Sequence, residues 1–139
     1  MDNMELAALC HLHTINGIGN RTLQLIKNRF GRFDACYEAG SSLLYKHLTP
    51  EIASLIIDSK TKKQNALDRI REDGFEVLCI EDEEYPLLLQ TIPNAPYLLY
   101  YRGEANILNQ FCLAIVGARA ATLYGKNSAL KLGEELAAR

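Results

Sequence analysis

The sequence of 139 residues lacks the features that mark membrane and secreted proteins. No apolar run approaches the roughly 20 residues that a transmembrane helix needs. The first ten residues, MDNMELAALC, carry acids where a signal peptide would carry bases. With 48% apolar and 23% charged residues, the composition is that of a globular protein, and we expect it to be cytoplasmic.

The sequence also lacks the spacings of metal sites and redox pairs. Its four cysteines contain no C-x-x-C pair, and they are Cys10, Cys36, Cys79 and Cys112. In a cytosolic protein such residues behave as small apolar side chains, so we predict that they are buried. His11 and His13 lie two positions apart, on different faces of a helix, and are interpreted as surface or cap residues.

A catalytic constellation is missing as well. No serine or cysteine has a histidine and a carboxylate at the spacing of a nucleophilic triad, and the acids at 81–84 do not form a calcium loop. We therefore predict no enzymatic activity, no metal and no cofactor.

The net charge of −2 gives no global indication of nucleic-acid binding, but the charges are unevenly distributed. Bases occur without acids in one stretch, which contains Arg21, Lys27, Arg29 and Arg32. A second basic cluster contains Lys60, Lys62 and Lys63, and residues 72–84 form an acidic block. These are either binding faces or ordinary solvated faces, and charge alone favours the second interpretation.

Apolar periodicity and capping residues predict helices over the first half of the chain. One helix carries Leu6, Leu9 and Leu12 on one face, and the next ends at Gly31. Asp34 is predicted to cap a short helix that Gly40 ends. Thr49-Pro50 predicts the start of a helix that runs to about residue 73, before Gly74.

The period changes after Gly74. The apolar runs FEVLCI (75–80), YLLYY (97–101) and CLAIV (112–116) predict strands, the last buried at the centre of a sheet. The final segment predicts a helix that packs on this sheet through Leu130, Gly133 and Leu136. We thus predict an α-helical domain over residues 1–73 and the beginning of an α/β domain over residues 74–139, with the rest of that domain missing.

TINGIG (14–19) has the pattern of a tight hairpin between two helices. Gly17 and Gly19 permit positive φ and leave backbone N–H groups open at the start of the next helix, where Arg21 follows. This arrangement is typical of a helix-hairpin-helix contact with a DNA phosphate. The alternative is a turn that only joins two packed helices.

AIVGARAATLYG (114–125) resembles a strand-to-helix nucleotide loop, but its glycines do not fit a dinucleotide fingerprint or a Walker motif. Arg119 lies where a second glycine would be expected, and a guanidinium binds phosphate well. Tyr124 offers a face for base stacking. These residues favour a phosphodiester backbone as ligand. The alternative is that Arg119 pairs with a helix acid such as Glu134 and that Tyr124 is a core residue.

Several fixed spacings together resemble the DprA (Smf) family of DNA-processing proteins. The first set lies before the loop and comprises Tyr85, Pro86, Leu89, Ile92, Ala95, Pro96, Leu99 and Gly103. The second set comprises the loop residues Ala114, Ile115, Val116, Gly117, Ala118, Arg119, Thr122, Tyr124 and Gly125. TINGIG is similar to the hairpin of the family's helical domain.

The resemblance implies a SAM-like helical domain followed by an extended Rossmann-like domain. It implies binding of single-stranded DNA during natural transformation, protection of the incoming strand and loading of RecA, with single-strand-binding protein as a further partner and a homodimer as the assembled form. The family's G-S-R motif falls on Gly117-Ala118-Arg119, with alanine replacing serine. The candidate DNA contacts are Gly117, Ala118, Arg119, Thr122, Tyr124, Gly125 and Lys126, and the weaker ones are Gly17, Gly19 and Arg21.

Two other functional classes stay open. One is a Rossmann-like nucleotide-binding enzyme related to phosphoribohydrolases, which a P-G-G-x-G-T-type loop would support and which this sequence does not contain. The other is a protein-binding module in which the helical domain and the acidic block at 72–84 recruit a partner.

Overall fold

The computed structural model describes residues 1–61 and 65–138. Lys62 and Lys63, which form the second basic cluster with Lys60, lie outside the described residues. The chain divides into two compact units, Met1–Asn109 and Gln110–Arg139. Within the described part, no helix has the length and apolar content that crossing a bilayer requires.

The first unit is mostly helical and contains a small antiparallel sheet. Its helices are α1 Asn3–Thr14, α2 Asn20–Phe30, α3 Phe33–Glu38, α4 Ser41–His47, α5 Pro50–Lys60, α6 Ala66–Glu72 and α7 Leu87–Gln90, with a 3-10 helix at Ala105–Asn109. Its strands are β1 Glu76–Cys79 and β2 Leu98–Tyr101. The second unit contains one regular element, α8 Leu123–Ala137. The described chain is therefore α+β.

Local chemistry explains where several helices begin and end. The Asp2 carboxylate accepts the Glu5 N–H at 2.9 Å and caps α1. Gly31 ends α2 with φ of 75°, a left-handed conformation that favours glycine. Pro50 is the first residue of α5 and follows Thr49 at the N-cap position. The predicted helix end at Gly31 and start at Thr49-Pro50 are confirmed.

Two helix boundaries differ from the prediction. Asp34 does not cap α3, because Arg32 holds the N-cap position and binds the Asp34 carboxylate at 2.7 Å. Gly40 does not end that helix but precedes α4 as its N-cap residue.

The helix predicted over residues 50–73 is two helices. α5 ends at Lys60, and α6 packs against α1 with Ala66 and Leu67 in the core. Ala53 and Ile56 of α5 are buried in the same core as Ala66 and Leu67 of α6.

Helix α1 lies in the centre of the first unit and packs against α2, α3 and α6. All five residues from Ala8 to Leu12 are consequently buried, including His11, which is 7% exposed and contacts the Tyr37 ring at 4.9 Å between centroids. The interpretation of His11 as a surface or cap residue was wrong, because a helix surrounded on several sides has no polar face there.

The two strands pair antiparallel, from Glu76 opposite Tyr101 to Cys79 opposite Leu98. The strands predicted at 75–80 and 97–101 are thereby confirmed. Cys79 and Leu98 point into the helical core, so the sheet closes one side of it.

The third predicted strand, 112–116, is not formed. This segment has no regular secondary structure and Val116 is 89% exposed. A strand requires a hydrogen-bonded neighbour, and the described part of the second unit contains no other extended element to supply one. Without a sheet to pack against, no described residue of α8 is buried. Cys112 is exposed, whereas the other three cysteines are buried as predicted.

Candidate nucleic-acid interface

The tyrosine-proline segment that begins at residue 85 is built into the fold. Tyr85 is almost fully buried, and its hydroxyl donates to the Pro96 carbonyl at 2.6 Å. This bond joins the two proline-containing ends of the segment and places Ala95 in the core. The next N–H, of Tyr97, donates to the Asn20 side chain at 3.2 Å, which connects the start of β2 to the start of α2. These motif residues therefore shape the chain before the loop and do not themselves form a ligand site.

The loop at 117–125 ends in a capped helix. Thr122 has extended backbone angles, and its hydroxyl oxygen accepts the Gly125 N–H at 3.2 Å. The first turn of α8 contains no acidic residue, so the positive end of this 15-residue helix is not neutralised within its own turn. Capping uses one of the free N–H groups and leaves others for an anion.

A cavity of about 500 Å³ lies against this helix start. Five of the predicted contact residues line it, and they are Gly117, Ala118, Thr122, Gly125 and Lys126. Gly117 has no positive φ, and a Cβ there would meet no atom within 4 Å. The backbone conformation does not require glycine at this position. The lack of a side chain at Gly117 leaves open space there.

Arg119 and Tyr124 do not line the cavity, and both are exposed to solvent. Tyr124 is 83% exposed, so the alternative that it is a core residue was wrong. Arg119 is exposed and forms no ion pair within the described residues, Glu134 included. Both side chains are thus available to a ligand, the guanidinium for phosphate and the phenol ring for stacking.

The TINGIG hairpin has one glycine that the structure demands and one that it does not. Gly17 has φ of 97°, and a Cβ there would lie 3.1 Å from Leu55 Cδ1 of α5. Gly19 is the N-cap residue of α2, has a negative φ and has open space around it. Arg21 follows on the exposed side of α2, whose first turn also contains no acid. The hairpin geometry is therefore compatible with an anion but equally with a simple turn.

The basic stretch of residues 21–32 is not a continuous basic face. The Lys27 ammonium lies 2.9 Å from the Glu5 carboxylate and 3.1 Å from Glu81. Arg32 contacts Asp2 at 2.6 Å as well as Asp34. Two of the four bases are thus used inside the fold.

The electrostatics of Lys27 show why it belongs to the fold. Partial burial opposes its charge, but hydrogen bonds to Glu5 and Glu81 outweigh burial and raise the pKa of the ammonium group. Burial likewise opposes the charge of Glu81, yet the hydrogen bond from Tyr97 and the one from Lys27 lower the pKa of its carboxyl. Sequence spacing gives no indication of this network, because its members are far apart in the chain.

Comparison with known proteins is informative for the segment that contains the tyrosine-proline motif and the loop at 117–125. Residues 76–139 match the family model described as DNA recombination-mediator protein A. The chain is also 32% identical over 76 residues to the DNA processing protein DprA of Bacillus subtilis (strain 168). This segment belongs to the DprA (Smf) family. The DprA match covers 54% of this chain and 26% of the Bacillus protein, so the chain spans about a quarter of that relative. No solved structure matches the chain significantly.

The DprA family match begins at the first residue of β1. It therefore contains the tyrosine-proline segment, the loop at 117–125 and α8, but none of the helices α1 to α6. The family model is described as one of recombination mediators. The hairpin residues Gly17, Gly19 and Arg21 lie outside the DprA match, and their role in DNA binding stays a prediction.

Proposed function

We propose that this chain binds single-stranded DNA as part of a cytoplasmic recombination mediator that protects strands taken up in natural transformation. In this proposal it is not an enzyme, and it helps to load RecA, with single-strand-binding protein as a further partner and a homodimer as its assembled state. Residues 1–73 form a SAM-like domain, and residues 74–139 form part of an extended Rossmann-like domain.

One observation carries the proposal. Arg119, which is exposed and has no ion pair in the part of the chain that the structure describes, lies three residues before Thr122. Thr122 caps a helix whose first turn contains no acid and includes Lys126. Two side-chain cations, a positive helix end and a space beside Gly117 together suit a phosphate group. Binding a strand without reading its sequence needs only such phosphate contacts and a stacking surface, which Tyr124 provides.

The direct test is the affinity of the chain for a fluorescently labelled oligo-dT, measured by anisotropy over a range of salt concentrations. Arg119→Ala is expected to weaken binding about tenfold, because a charge-assisted bond to phosphate is lost. The slope of log affinity against log salt is expected to fall by about 0.7, the value for one phosphate contact on a single strand.

The matched control is Arg29→Ala, which removes the same charge from an exposed position of α2 that forms no ion pair within the described residues. It is expected to leave both affinity and slope unchanged. Equal affinities and slopes for the wild type and Arg119→Ala would overturn the assignment of Arg119.

Competition with AMP distinguishes the two alternatives. A nucleotide-binding enzyme of the phosphoribohydrolase type would bind AMP and release the oligonucleotide at AMP concentrations near its own Kd. A module that binds only proteins would bind neither ligand. A strand-binding mediator is expected to keep the oligonucleotide at AMP concentrations that saturate such an enzyme.

A further inference from the structure

A groove lies in the first unit where the end of α1, the end of α6 and strand β2 meet. It has a volume of about 350 Å³, and its walls are Thr14, Ile70, Asp73, Phe75 and Tyr100. We name it the junction groove. None of its residues belongs to the loop at 117–125, and nothing in the proposed function uses it.

The aromatic wall of the junction groove is held in place. The Tyr100 hydroxyl forms a 2.7 Å hydrogen bond with His13 Nδ1, and the two rings lie 5.6 Å apart. Tyr100 is nevertheless 39% exposed, so part of its ring is open to a ligand. Burial lowers the pKa of His13, which favours the neutral imidazole in this contact.

A cation is held against Phe75, one of the walls of the groove. The Arg102 guanidinium lies 4.0 Å from the centre of the Phe75 ring, and it donates to the carbonyls of Gly74 and Asp73. Gly74 has φ of 76°, which makes the turn that exposes these carbonyls. Arg102 therefore closes one side of the Phe75 ring and keeps a positive charge beside the groove.

The polar groups at the edge of the groove are few and mostly acceptors. Thr14 donates its hydroxyl hydrogen to the His11 carbonyl, so its oxygen remains as an acceptor. The exposed Asp73 carboxylate has no hydrogen-bond donor within the described residues. Flat apolar walls with a carboxylate at the edge suit a planar ring that carries N–H donors.

We propose that the junction groove binds one unpaired nucleobase that carries an amino group. The base stacks on Tyr100 between the apolar walls and donates its amino hydrogen to Asp73. Cytosine and adenine have such a group, whereas thymine has none. Where the base belongs to a DNA strand, this inference rests on the proposed function and adds a base contact to it. The same groove would also take the base of a free nucleotide.

The test compares labelled dC and dT oligonucleotides of equal length on the wild-type chain and two variants. The wild type is expected to bind dC at least threefold more tightly than dT. Tyr100→Leu keeps an apolar side chain but removes the stacking ring, and it is expected to weaken dC binding at least fivefold. Asp73→Ala is expected to remove the preference for dC.

Matched controls lie elsewhere in the first unit. Tyr45→Leu changes another half-exposed tyrosine, and Glu83→Ala removes another exposed carboxylate. Both are expected to keep the wild-type affinity and preference. If Tyr100→Leu does not fold, Asp73→Ala decides the question, because its exposed side chain is not needed for packing.

The outcomes distinguish the two proposals. Equal binding of dC and dT, unchanged by Asp73→Ala but weakened by Arg119→Ala, would overturn the groove and leave the proposed function standing. Binding of free CMP that Tyr100→Leu weakens, without binding of either oligonucleotide, would support a free-nucleotide groove and overturn the proposed function. Absence of binding to CMP and to both oligonucleotides would overturn both.

Discussion

The ammonium group of Lys27 lies 2.9 Å from the carboxylate of Glu5, whose side chain is only 6% exposed. A carboxylate in such a position needs a partner, because an unpaired buried charge is costly. The Phe33 N–H and Arg32, at 3.6 Å, complete its surroundings. The first helix is thus attached to the second by charge as well as by apolar packing.

The first prediction follows from this pair. Lys27→Met keeps the apolar part of the side chain but removes its charge, and it is expected to lower the free energy of unfolding by about 3 kcal/mol. Urea unfolding followed by circular dichroism measures the change. Lys46→Met is the control, because Lys46 is exposed and has no ion pair within the described residues. Equal stabilities of the two variants would mean that the pair contributes nothing.

The second prediction concerns acid. Glu81 has a pKa below its ordinary value of 4.5 in the folded chain, since its bonds to Tyr97 and Lys27 outweigh its partial burial. A lowered folded pKa contributes stability above pH 4.5 that is lost as the pH falls below it. Denaturant midpoints between pH 7 and pH 3 are expected to fall less steeply for Glu81→Gln than for the wild type. Parallel curves would contradict this role of Glu81.

The third prediction concerns the tyrosine-proline segment. Tyr85→Phe removes only the hydroxyl that donates to the Pro96 carbonyl at 2.6 Å, and it is expected to cost about 1 kcal/mol of unfolding free energy. Tyr45→Phe, at a half-exposed tyrosine, is expected to cost less. Thermal denaturation of both variants makes the comparison, and a larger loss for Tyr45→Phe would show that the buried hydroxyl does not hold the segment.

The fourth prediction separates capping from ligand contact at Thr122. Thr122→Ala removes the cap of α8, and we expect about 1 kcal/mol less helix stability and weaker oligonucleotide binding. Thr122→Ser keeps the capping oxygen and is expected to restore both. Helix content by circular dichroism and affinity by anisotropy are measured together. Restored helix content without restored affinity would show that the threonine methyl group contacts the ligand.

Much of the helical arrangement could be predicted because it depends on local chemistry. The left-handed Gly31 and the Thr49-Pro50 pair act within a single turn, so their effects can be predicted from adjacent residues. The burial of His11 could not, since it results from three helices that surround α1. The missing strand at 112–116 has the same origin, because pairing depends on a neighbour that no local pattern supplies.

At the candidate site, too, the local features could be predicted from the sequence and the long-range contacts could not. Glycine, arginine and tyrosine at the loop could be identified from type and spacing, and the structure shows Arg119 and Tyr124 exposed there. The use of Lys27 and Arg32 in ion pairs could not be identified, because their acidic partners include residues as distant as Glu81. The junction groove was missed for a similar reason, as its walls come from both ends of the first unit.

The exposed segment FCLAIV (111–116) has a consequence for handling this protein. It contains no charge, no proline and no glycine, and it has no strand partner within the described residues. Such six-residue segments form intermolecular cross-β structure when chains meet at high concentration. Concentrated samples are therefore expected to form fibrils that bind thioflavin T, and Leu113→Lys is expected to delay them.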